Sequence, residues 1–202
     1  MVSVDDVAQG VVGRELPRRV VELSDPVALR ALAHPIRLKL VGLLRTEGPL
    51  TATQAATRLG ESSGSTSFHL RALAKYGLVE ETGDGKGRAK PWRATAEFTS
   101  WPSLAQAPEA AGAIQALQSA IAQRYLERLS DWLQTSAQEP AEWQAVAGMG
   151  DSIVYLTVDE LAAFGRGLDA LLAGFLDRTA RPELRPPGSR PVDIVHLLLP
   201  MD

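Results

Sequence analysis

Between residues 51 and 93 the order of side chains leaves little choice of local structure. Thr51-Ala52-Thr53-Gln54 has the spacing of a capping box, with Leu50 in the staple position before it. The short helix this opens runs to Leu59-Gly60, where glycine can supply a left-handed cap. Residues 61–64 make a turn, and Ser63 is placed to cap a second helix. On that helix Thr66, Leu70 and Leu73 form the inward stripe, ending at Tyr76-Gly77. The opposite face, Ser65, Phe68, Arg71, Ala72 and Lys75, is small, polar and cationic, and carries no acid. Residues 78–82 and 91–95 read as paired strands around Gly83-Asp84-Gly85-Lys86-Gly87-Arg88-Ala89-Lys90. Two helices joined by a tight turn and followed by a basic hairpin make a winged helix-turn-helix. A short-residue helix suits base edges in a major groove, and a cationic hairpin suits the phosphates beside it.

The flanking sequence extends this unit in both directions. Asp25-Pro26 is a helix start, and Leu29, Leu32, Ile36, Leu40, Leu43 and Leu44 follow at helical spacing. His34-Pro35 should divide that stretch into two helices, and Gly48-Pro49 should end it. Downstream, Ile114, Leu117, Ile121, Tyr125, Leu129, Trp132 and Leu133 share one face of a long helix, a reasonable dimer seam. Residues 153–156 look strand-like. Thr157-Val158-Asp159-Glu160 is a second capping box, opening a helix with Leu161, Phe164, Leu168, Leu171, Leu172 and Phe175 inward. Residues 192–199 read as a closing strand.

The fold class expected is mainly α with small β elements: an N-terminal winged helix-turn-helix, a long dimerisation helix and a small C-terminal α+β unit. The boundaries follow: an arm over 1–24, the DNA-binding domain over 25–97, a linker over 98–107, and a dimerisation and effector region over 108–202.

Net charge would mislead if read whole. The chain totals −3, yet residues 26–95 hold 11 Lys/Arg against 5 Asp/Glu, a net +6, while residues 96–202 hold 7 against 14, a net −7. A basic half can hold a polyanion that the acidic half would repel. The chain has no cysteine, which removes disulfides and thiolate metal sites and fits a cytoplasmic protein. The first residues lack the pattern of a signal peptide, and no apolar stretch is long enough for a membrane span, so no membrane partner is expected.

Leu32-Ala33-His34-Pro35-Ile36-Arg37-Leu38-Lys39-Leu40, Ser67-Phe68-His69-Leu70-Arg71-Ala72-Leu73 and Gly77-Leu78-Val79-Glu80 together resemble the ArsR-like family of bacterial winged-helix transcription regulators. The likeness covers roughly residues 25–95. It implies a symmetric dimer on palindromic double-stranded DNA, with recognition helices in successive major grooves and repression relieved by an effector. Carried over by position, residues 63–71 would enter the groove and residues 86–93 would form the wing. Many metal-sensing members ligate through cysteines, which are absent here, and the region beyond residue 95 is longer than in compact members. Neither a metal nor a cofactor is expected.

The candidate DNA-binding residues are therefore Ser63, Ser65, Thr66, Ser67, Phe68, His69, Arg71 and Lys75 on the recognition helix. Arg71 can make two bonds to a guanine. His69 borders the inward stripe, which favours a structural role for it. In the wing, Lys86, Arg88, Lys90 and Arg93 could neutralise about four phosphates per chain. Trp92 is expected to pack the wing onto the body.

Two enzyme-like strings are set aside. Gly60-Glu61-Ser62-Ser63-Gly64 fits G-x-S-x-G, but a helix enters it where that chemistry needs a strand. Gly83-Asp84-Gly85-Lys86-Gly87 is followed by no helix to hold a phosphate. In the second half, Ile114, Leu117, Ile121, Tyr125, Trp132, Trp143, Tyr155, Phe164 and Phe175 either line a small-molecule effector pocket or serve only as core and dimer interface. The reading as a whole is a homodimeric, sequence-specific DNA-binding regulator of repressor type. The alternative is a winged helix used for protein interaction without specific DNA binding.

Overall fold

The computed structural model describes residues 20–83, 90–102 and 108–201. The wing tip with Lys86 and Arg88 lies outside the described residues, as does most of the expected N-terminal arm. The chain divides into two compact units, one of Pro17–Leu126 with Arg185–Asp202, the other of Met1–Leu16 with Glu127–Leu184.

In the first unit, α1 (Pro26–Leu32) starts at Asp25, whose carboxylate accepts the Val27 N–H at 2.9 Å. The α2 helix (Pro35–Glu47) is capped by His34, whose Nδ1 accepts from Ile36 N at 3.2 Å, so His34-Pro35 does divide the stretch. The α3 helix (Ala52–Leu59) opens on the Thr51/Gln54 capping box and closes on Gly60 in the left-handed region, φ 68°. The α4 helix (Ser63–Ala74), the expected recognition helix, follows after three residues. Its cap is Ser62 rather than Ser63: the Ser62 hydroxyl accepts the Ser65 N–H at 3.1 Å, which makes Ser63 the first helical residue.

The sheets are small and both belong to this unit. The β2 (Val79–Glu81) and β3 (Trp92–Ala94) strands pair antiparallel, Val79 opposite Ala94, and Leu50 bridges to Trp92. Trp92 is buried in the core and holds the wing to the body as expected. The β1 (Val20–Glu22) and β4 (Phe98–Ser100) strands pair in parallel. The start of the expected linker and the end of the expected arm are thus each other's ladder partners. Residues so far apart in sequence carry no local sign of pairing.

The core unites Leu29, Leu32, Leu38, Leu40, Leu44, Leu70, Leu73, Leu78 and Trp92 with the first third of α5 (Pro108–Thr135). Ile114 and Leu117, expected at a dimer seam, are buried here in the chain's own core, with Ile121 packed against it. Arg45 is also enclosed. Its Nε donates to Ala96 O at 3.0 Å and its terminal nitrogen to Thr99 Oγ1 at 2.8 Å. Burial, with the Arg124 charge adding, brings its pKa down to about 10.

The second unit contains the end of α5, the short α6 (Ala141–Gln144) and α7 (Val158–Ala180). The second capping box is formed, with Thr157 Oγ1 accepting Glu160 N–H at 3.3 Å. The strands expected at 153–156 and 192–199 are not formed among the described residues. Both segments are free of regular structure and their large apolar side chains are exposed. Apolar alternation makes a segment able to extend, but a strand exists only with a ladder partner. The chain is thus mainly helical with small sheets, and no described helix is long and apolar enough to cross a membrane.

Candidate nucleic-acid interface

The recognition helix is seated by its stripe. Thr66, His69, Leu70 and Leu73 are all buried, at the i, i+3, i+4 and i+7 positions of one face. Two of the candidate DNA-binding residues, Thr66 and His69, are therefore on the inward face. Their helical phase decides this, since both share the face of Leu70 and Leu73. The outward face carries Ser63, Phe68, Arg71 and Lys75 exposed, with Ser65 and Ser67 half-buried at its margin. Phe68 is 59% exposed, its ring edge-to-face with His69 at 5.3 Å between centroids. The Arg71 guanidinium has no ion-pair partner among the described residues, and Lys75 Nζ lies 5.7 Å from the Tyr76 ring centroid.

The Thr66 hydroxyl is buried without a hydrogen-bond partner among the described residues. A buried unpaired hydroxyl costs roughly 1–3 kcal/mol, so its removal should be favourable if shape is kept. Thr66→Val is expected to leave DNA affinity unchanged and to leave the melting temperature equal or higher. A fall in melting temperature of several degrees would show that the hydroxyl is satisfied in solution.

Behind the helix lies a cluster that sequence reading did not assemble. The His34 and His69 rings stand 4.5 Å apart, and Arg37 donates from Nε to His69 Nδ1 at 3.4 Å and from a terminal nitrogen to Ala31 O at 2.7 Å. The only sign of it in sequence is that one histidine caps α2 while the other borders the α4 stripe. Burial lowers both histidine pKa values below the usual 6.5; for His34 the Arg37 charge adds to this, and for His69 the charges of His34 and then Arg37 add, while Glu61 opposes in both cases. The folded domain accordingly binds fewer protons than the unfolded chain. Its stability is complete above the unfolded value of 6.5 and is lost as pH falls through that value towards the lower folded ones. The melting temperature should drop between about pH 7.5 and 5.5. In a His34→Asn/His69→Gln variant, which keeps a capping acceptor at position 34, the same profile should be flatter.

The described part of the wing is less cationic than its composition. Arg93 pairs with Glu80 at 2.7 Å and Lys90 with Glu81 at 3.1 Å, so two of the four expected phosphate-binding charges are matched across β2 and β3. All four partners are solvent-exposed, and such pairs are worth about 0–1 kcal/mol, easily exchanged for a phosphate. The string from Gly60 to Gly64 is the helix-turn-helix corner itself, with the Ser62 hydroxyl engaged in capping. Of the aromatics in the second half, Trp132 and Trp143 come together in an open cleft of about 280 Å³ with Ser136, Ala137, Glu139, Gln144 and Ala147. Tyr155 and Phe164 are not among its lining residues; both are exposed.

Residues 32–82 match a family model described as a helix-turn-helix domain, which spans α2, α3, α4 and the first strand of the wing. The chain is similar to the HTH-type transcriptional regulator NmtR of Mycobacterium tuberculosis, 36% identical over 87 residues, which cover 41% of this chain and 70% of that protein. Corner, outward cationic face, wing and likeness agree: the chain belongs to the ArsR-type winged helix-turn-helix family of DNA-binding transcription regulators.

Proposed function

We propose that the chain acts as a cytoplasmic homodimeric repressor that reads a two-fold symmetric operator. The observation that carries this reading is the outward face of α4. Ser63, Ser65, Ser67, Phe68, Arg71 and Lys75 supply hydroxyls, an apolar contact for a thymine methyl and a fork for guanine, with no acid among them. Lys86 and Arg88, with Lys90 and Arg93 once their acids release them, would meet the flanking phosphates. Release by a small molecule belongs to the same reading. The Trp132/Trp143 cleft sits near the lower end of the volumes that hold ligands, roughly 300 Å³, and its two indoles suit a flat apolar compound.

Selection of binding sites from random DNA, read at two salt concentrations, tests the proposal. Recovery of a palindrome with half-sites about one helical turn apart, bound less tightly at the higher salt, is the expected result. Equal retention of all sequences would instead favour a winged helix that serves protein interaction.

A further inference from the structure

His69 joins the buried side of α4 to its outward one. It is 7% exposed, with the His34 ring 4.5 Å away and the exposed Phe68 ring edge-to-face at 5.3 Å. Phe68 shares the outward face with Ser63, Arg71 and Lys75, so one ring contact separates the histidine cluster from the surface proposed to meet bases. Both imidazoles are fixed as neutral rings by what they accept. His34 Nδ1 takes the Ile36 N–H at the start of α2, and His69 Nδ1 takes the Arg37 Nε–H reaching across from α2. A ring nitrogen that accepts carries no hydrogen, so each ring holds its own on Nε2.

A proton added at either Nδ1 removes an acceptor. At His34 the cap of α2 is lost; at His69 the new N–H meets the Arg37 donor, and the bond that ties α4 to α2 goes. The charged groups acting on both rings are Arg37 from α2 and Glu61 from the corner, with His34 acting on His69 as well. From α1 comes the Ala31 carbonyl that holds the far end of Arg37. With both rings protonated, Arg37 would be repelled by two more cations, and their attraction would run instead to Glu61, at the corner where α4 begins. Base contacts depend on such seating, since a binding constellation has to be held to about 0.5 Å. Phosphate attraction is indifferent to sequence and grows with each added charge. Protonation therefore acts in opposite directions on the two kinds of binding.

We propose that His34, Arg37 and His69 form a proton-sensitive positioning device for α4: with both rings neutral the protein holds its operator, and as they take up protons it loses its grip on specific sequence. The device regulates the DNA-reading face proposed above and rests on that reading. His69 is in it a positioning residue, acting on bases through Phe68 and the seat of the helix. Both rings titrate below 6.5, so the change belongs to the pH unit beneath that value and is bounded at about tenfold in affinity for each histidine of each chain.

The test titrates the full chain with its selected operator and with a random duplex of equal length, at about pH 7.5 and about pH 5.5. Salt is fixed, and the temperature is one at which circular dichroism shows the protein folded at both pH values. Operator binding should weaken several-fold at the lower pH while random-duplex binding holds level or tightens. The His34→Asn/His69→Gln variant keeps an acceptor at each position without a titrating ring, so its own operator affinity should be the same at both pH values. His196→Gln, removing the remaining and exposed histidine, should keep the wild-type fall. Should the double variant fail to fold, NMR of the wild-type histidine rings decides: operator binding should lower the titration midpoints of His34 and His69, and unmoved midpoints would overturn the device. A wild type that holds operator equally at both pH values would also overturn it while the regulator reading stands. So would parallel weakening on operator and random duplex, or a double variant whose affinity falls as the wild type's does. If no sequence is selected even at the higher pH, both readings end together.

Discussion

Leu70→Ala is expected to destabilise the DNA-binding unit by about 2–5 kcal/mol, the usual range for emptying a leucine site in a packed core. Leu70 is fully buried on α4, in the cluster that also holds Leu29, Leu40, Leu73 and Trp92. The cavity would open where the recognition helix is anchored, and the neighbours that could collapse into it belong to other helices and to the wing. Against a total stability of about 5–15 kcal/mol the loss is large, and the melting temperature should fall by on the order of 10 °C or more. DNA binding would weaken through loss of fold, and it should recover on cooling. A loss below about 1 kcal/mol in a denaturant titration would mean that α4 is not seated on this core.

Arg71→Ala, one residue further along the same helix, should do the opposite. Arg71 is exposed and forms no ion pair among the described residues, so removal should change stability by no more than about 0.5 kcal/mol. Its expected cost falls on binding. A bidentate arginine–guanine contact is worth about 1–3 kcal/mol of discrimination, roughly 5- to 150-fold for each half-site. Titration of the selected operator and of a variant with the contacted guanine replaced separates the outcomes. Loss of preference at that base is expected. Equal weakening on every sequence would reassign Arg71 to a phosphate, and unchanged binding would remove α4 from the interface. Read together, the two substitutions separate what holds the helix from what the helix holds.

Much of the first unit was legible because its signals are local. Both capping boxes formed, the glycine at position 60 took the left-handed cap, and His34-Pro35 split the first helices. Cap and turn chemistry act over three or four residues, so adjacent side chains suffice to specify them. The recognition face was legible to the same extent, since helical phase separates Arg71 from Leu70. The same phase puts Thr66 and His69 on the buried face beside Leu70 and Leu73, which outweighs their polarity.

The remainder depended on residues distant in sequence. That Glu80 and Glu81 would meet Arg93 and Lys90 depends on the register of β2 against β3, and that His34, Arg37 and His69 would share one cluster depends on how α2 crosses α4. The parallel pairing of Val20–Glu22 with Phe98–Ser100 joins segments with no common local pattern. Residues 153–156 and 192–199 show the same division from the other side. Their composition makes them able to extend, but pairing needs a second edge, and neither has one among the described residues. Residue order therefore settled the helices, their caps and the cationic outward face, because those arise from neighbours a turn apart. Which charges are cancelled, which faces are buried and which remain open was settled by packing, because burial belongs to pairs of surfaces and not to any one segment.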